Sequence, residues 1–174
     1  MHEFSELAWR SIGFVMTKLD ELEAQVLKEL ESSGANVHVK NLQAINMQRV
    51  INAVGAFTIF EAHLQDQFVW KYNVETKYAF DEARKRLIAK NQIELENRFG
   101  ALMDAINVLK HGKGNSYDKL LLRDNLPFRI KQANENFFDE GEVAEIQTLI
   151  QVDSNFVVYC LQVINAVSTE LDLW

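Results

Sequence analysis

The chain has 174 residues, 48% apolar and 25% charged, with a formal net charge of -7, the balance of a globular protein with a core of ordinary size. That composition excludes collagen-like and disordered classes, and the acidic balance argues against a protein that coats nucleic acid with its whole surface. No run of about 18 apolar residues is present, and the opening Met-His-Glu-Phe-Ser-Glu lacks the basic-then-apolar order of a signal peptide, so a cytoplasmic protein with no membrane partner is expected.

A single proline, Pro127, leaves long stretches free of the strongest helix breaker. The apolar spacing predicts an all-α fold: one domain over residues 1–174, a helical bundle of four to five long helices plus short helices. The first helix is expected over about 4 to 32, where Ile12, Val15, Leu19, Leu22 and Val26 recur at intervals of three and four as a bundle seam. Ser32-Ser33-Gly34 supplies a glycine stop. Val37 to Val39 is the one place where a strand could sit.

The second helix, about 41 to 72, carries Met47, Val50, Ile51, Val54, Phe57, Leu64 and Phe68 on one stripe, and Glu61 falls inside it. A carboxylate among apolar side chains needs a cation or hydrogen-bond donors to offset its desolvation. Glu61 is therefore either a buried, hydrogen-bonded bundle residue or a binding residue that orients a basic group on the fourth helix. His63, on the edge of the stripe, reads as a half-buried structural histidine.

A third helix is expected over about 75 to 90, with Phe80, Ala83, Leu87 and Ile88 inward and Lys77, Arg84, Arg86 and Lys90 toward water. The fourth, about 92 to 111, sets Leu95, Phe99, Leu102, Ile106 and Leu109 on its core side. Gly100, Asp104, Asn107 and His111 form a second, polar face whose glycine permits close approach of another element. Homodimerisation is expected through this face.

Residues 112 to 152 are less regular: a short helix after Asn115-Ser116, a turn around Pro127 and a short helix near 142 to 151. Asp153-Ser154 reads as the N-cap of a last helix with Phe156, Cys160, Val163, Val167, Leu171 and Trp174 on its core stripe. Cys160, the only cysteine, can form no internal disulfide and reads as a small buried hydrophobe.

The usual routes to chemistry are missing. His2, His38, His63 and His111 are scattered singly, and no Glu-x-x-His pair or cysteine pair accompanies them, so neither a di-iron nor a zinc site is expected. There is no phosphate-cradling Gly-x-x-x-x-Gly-Lys-Ser/Thr or Gly-x-Gly-x-x-Gly turn and no Gly-x-Ser-x-Gly elbow. No cofactor and no metal are expected.

What stands out is Asn107-Val-Leu-Lys-His111-Gly-Lys-Gly-Asn-Ser116, which sets an amide and an imidazole four residues apart on one helical face, directly before a break. Lys110, Lys113 and Lys119 surround the turn, and Arg123, Arg129 and Lys131 follow. Its plain structural reading is a helix C-terminus closed by glycine, with lysines favoured by the helix dipole.

Phe60-Glu61-Ala-His63-Leu64 on one helix, Asn107-x-x-x-His111 at the end of another, the Lys110-His111-Gly112 run, a serine shortly after and the closing aromatic-rich helix resemble the HEPN superfamily over about residues 41 to 174. The resemblance implies an all-helical, often dimeric protein in which an Arg-Asn-x-x-x-His motif cleaves RNA without metal, and a defence or toxin–antitoxin setting. Carried over by position, Asn107 and His111 match as catalytic residues, while Ile106 stands where the motif has arginine. Glu61, Asp104, Lys110 and Lys113 are the accompanying binding residues. The implied function is HEPN-like binding of RNA or a protein partner with lost or weakened ribonuclease activity; the alternative is a non-enzymatic structural or regulatory interaction protein.

Overall fold

The computed structural model describes residues 3–132, 135 and 146–173. The protein is all-α, with six helices among the described residues: α1 (Glu3–Ser33), α2 (Asn36–Tyr72), α3 (Ala79–Ala89), α4 (Ile93–His111), α5 (Asn115–Leu121) and α6 (Ser154–Glu170). None of them is long and apolar enough to cross a membrane.

Helix α2 organises the rest, touching α1, α3, α4 and α6. Its 37 residues make a rod about 55 Å long. The inner side of that rod buries Phe57, Phe60, Leu64 and Phe68 completely or nearly so. Phe57 and Phe60 meet Phe80 of α3 and Phe99 of α4 in a tetrad whose ring centroids lie between 4.7 and 6.4 Å apart. Offset and edge-on pairs at such distances add to what burial of the rings already contributes. Met16 of α1, Tyr117 and Leu120 of α5 and much of α6 extend the same core.

The expected seam of α1 holds at three of its five positions: Val26 is buried and Ile12 and Leu19 are half-buried, whereas Val15 and Leu22 are exposed and Met16 is buried in their place. The seam is therefore narrower than a full three-and-four stripe. A polar clamp adds to it: Arg49 of α2, buried at the interface, donates to Asp20 at 2.8 Å and to both carboxylate oxygens of Glu23 at 3.0 and 2.7 Å. Asp20 also accepts a 2.7 Å hydrogen bond from Ser154. Partial burial pushes the Asp20 carboxyl up, but the bonds from Ser154 and Arg49 outweigh it and hold it below its ordinary range.

Other boundaries shift less. Helix α2 begins at Asn36, so Val37 to Val39 are helical and not a strand. On the same helix Met47 and Ile51, expected in the core stripe, are exposed, as is Ile88 on α3. Helix α3 starts only at Ala79, after a turn.

The ends follow local rules. Asn73 closes α2 with φ at 51°, its N–H donating to Val69 and that of Val74 to Phe68, the paired bonds of a left-handed helix stop. Asp153 caps α6 by accepting from the Phe156 N–H at 2.8 Å, as expected. The short helix near 142 to 151 is not found where it can be judged: residues 142 to 145 lie outside the described residues, and 146 to 151 are not helical. Ile150 there pairs with Ile130 in an isolated antiparallel bridge. Trp174 also lies outside the described residues. Cys160 is fully buried, and burial pushes its thiol far up, which makes it a poor nucleophile.

Candidate functional site

Helix α4 ends because Gly112, at φ 74°, takes up a conformation that L side chains avoid. Its N–H donates to the Val108 carbonyl at 2.8 Å. The chain then turns into α5 and is held there by Tyr117, whose buried ring places its hydroxyl to donate to the Lys131 carbonyl at 2.8 Å. The turn that carries Lys113 is thus anchored on both sides, while Lys113 itself is exposed.

The sequence-predicted residues separate into three places. Glu61, Asn107 and Lys110 come together with Thr58, Tyr78 and Asp81 around a cleft of about 230 Å³ between α2, α3 and α4. Phe57, Phe80, Met103 and Ile106 complete its walls. Glu61 is half-exposed there and not buried in the core stripe, so the desolvation that would have demanded a cation does not arise. The cleft offers two carboxylates, an ammonium, an amide and a phenol above an apolar floor. Tyr78 and Asp81 were not expected, because their positions before and within the first turn of α3 show no link to α4 in the sequence.

Asp104 points elsewhere. It is 9% exposed and faces Arg123, whose Nη2 is 3.5 Å from Oδ2. Next to it, a methyl group built on Gly100 would meet Arg123 and Arg84 side-chain atoms at 3.4 Å. Arg84 in turn is held by Glu96 at 2.5 to 2.6 Å. The polar face of α4 expected to receive a second chain is therefore covered over Gly100 and Asp104 by the chain's own arginines.

His111 occupies the third place, the last turn of α4, exposed and without a hydrogen bond or ion pair among the described residues. A histidine poised as general acid or base is ordinarily oriented by a neighbour, and here none does so. Ile106 decides the rest. At 2% exposure it belongs to the core, so the position that the HEPN resemblance assigns to arginine lies under the cleft and not on the exposed edge with His111. His63 is half-buried and stacks on Phe4 with centroids 4.7 Å apart and planes 9° from parallel. Among the described residues no three His, Cys, Asp or Glu side chains gather as metal ligands would.

No family model matches this chain, no curated protein matches its sequence and no solved structure matches its fold.

Proposed function

We propose that the chain is a HEPN-like helical protein that binds RNA through the end of α4 and does not cleave it. One observation carries this reading: Asn107 and Lys110 at the mouth of the cleft and His111 and Lys113 beyond it are all exposed at the C-terminal end of α4, whereas the position that the resemblance assigns to arginine is a buried isoleucine. Lysines and an imidazole attract a phosphate backbone as point charges. Stabilising the charge that develops during strand cleavage requires a fixed, preorganised donor, and the loss of one such donor costs about 2.7 to 4 kcal/mol, a hundred- to thousand-fold in rate.

The direct test pairs binding with cleavage. Single-stranded RNA, followed by fluorescence anisotropy in metal-free buffer, is expected to bind in a salt-dependent manner and to remain intact. Charge reversal in Lys110→Glu with Lys113→Glu is expected to abolish binding. Wild-type cleavage that vanishes in His111→Ala would overturn the reading.

The second reading, a non-enzymatic structural or regulatory interaction protein in which His111 only closes α4, draws on the exposure of that imidazole and its lack of a partner among the described residues. RNA binding unchanged by the double charge reversal, or no RNA binding at all, would favour it.

A further inference from the structure

Viewed down its axis, α2 is apolar on two opposite sides. One side is the core already described. On the other run Ala44, Gln48, Ile51, Gly55, Thr58 and Ala62, spaced alternately four and three, the period of a helix seam. Ile51 is 54% exposed, and the flanking Met47 and Ile59 are 47% and 61% exposed. Between Lys40 and Glu61 the sequence has one charged residue, Arg49, and that guanidinium is turned inward to Asp20 and Glu23. On a chain that is one quarter charged, twenty consecutive positions that send no charge outward mark a face kept for contact.

Gly55 sharpens the point. A glycine in the middle of a helix weakens it relative to alanine, so it needs a reason. Within the chain there is none, since a methyl group built there would meet nothing within 4 Å among the described residues. A close approach from outside supplies the reason.

We propose that this face is the seam of a symmetric homodimer in which the α2 helices of two copies pack antiparallel about position 53. That register sets Ile51 of one copy against Gly55 of the other, Gln48 against Thr58 and Ala44 against Ala62. The largest side chain of the seam then fills the space over the glycine, and the polar pair meets itself. Lys40 stands level with the second copy's Asp66, so opposite charges face each other at both ends. A parallel pairing would instead stack Ile51 on Ile51, leave a gap at Gly55 and bring Lys40 to Lys40. The seam from Ala44 to Ala62 is about 28 Å long. With its flanks it buries on the order of 1,000 Å² over both copies, at the lower bound for a specific, reversible dimer. The inference does not rest on any role for the end of α4, although Thr58 belongs both to the seam and to the cleft, and it moves self-association from the α4 face, where Arg84 and Arg123 lie, to α2.

Sedimentation of the full chain at high micromolar concentration tests it. The wild type is expected at about 40 kDa, twice the 20.1 kDa of one chain, and Ile51→Glu at the monomer mass with unchanged helical circular dichroism, because Ile51 is exposed. A monomeric wild type, or a dimer that persists in Ile51→Glu, overturns the proposal; the first result leaves the face to a different protein. The register is read by mixing equal amounts of Ile51→Cys and Gly55→Cys chains under mild oxidation, Cys160 being buried and silent. Disulfides joining one variant to the other are expected. Bonds formed only between identical variants would overturn the antiparallel register.

Discussion

Phe99, the ring that α4 gives to the aromatic tetrad, and His111 lie on the same helix, a little over three turns apart, yet they are held in different ways. Each of Phe57, Phe60, Phe80 and Phe99 lies within 6.4 Å, centroid to centroid, of the other three, so no ring can move without displacing three neighbours. His111 has solvent around it and no partner among the described residues. The side chains that most suggest chemistry in the sequence are thus among the least constrained in the fold. The firmest polar constellation, Arg49 with Asp20 and Glu23, sits between helices and is engaged in holding them.

Several substitutions would break or sharpen that contrast. Phe99→Ala should be the most damaging, because it empties the centre of the tetrad; truncating a buried phenylalanine costs about 3 to 5 kcal/mol, read as a fall in the urea midpoint. A loss below about 1 kcal/mol would mean that the tetrad does not dominate stability.

Arg49→Ala should follow at roughly 2 to 4 kcal/mol. Removing one member of a buried ion pair strands the others, but Asp20 is half exposed and its share is screened. The same cluster sets a pH dependence. Because the folded Asp20 carboxyl lies below its ordinary value of 3.8, its contribution is complete above that pH and is lost as the pH falls through the folded value. Acid titration of the midpoint in Asp20→Asn should therefore be flatter than in the wild type below about pH 4; identical slopes would discount the ion pair.

Asp153→Ala removes the N-cap of α6 and should cost about 1 kcal/mol, with Asp153→Asn largely restoring it. His111→Ala should be the mildest, within about 0.5 kcal/mol in either direction. A larger loss would show that the imidazole has a structural partner.

Much of the fold was legible because period-three-and-four spacing and a cap are local. The six helical segments, the Asp153 cap and the burial of Cys160 all follow from residues within a few positions of each other. What failed was long-range. Nothing near Arg49 announces that its partners lie 26 and 29 residues away, and spacing that placed Ile12, Leu19 and Val26 correctly could not show that Val15 and Leu22, at the edge of the same stripe, lie beyond the reach of α2. Val37 to Val39 misled through β-branching; they form the first turn of α2, where Val37 is exposed. At the candidate site the sequence joined Glu61 to the fourth helix, and the cleft does bring it beside Asn107 and Lys110. It could not foresee that Asp104 turns to Arg123, because helical spacing gives a side chain's face and not its partner.

Asp20 also has a temporal meaning. It receives one bond from Arg49, 29 residues away, and another from Ser154, 134 residues away. Closing the shorter loop loses less chain entropy, so the α1–α2 hairpin can lock while the rest of the chain is still open, and the bond to Ser154 forms only when α6 docks. The carboxylate joins a short chain loop to a long one, and loosening its Ser154 bond is expected to speed unfolding more than it slows folding.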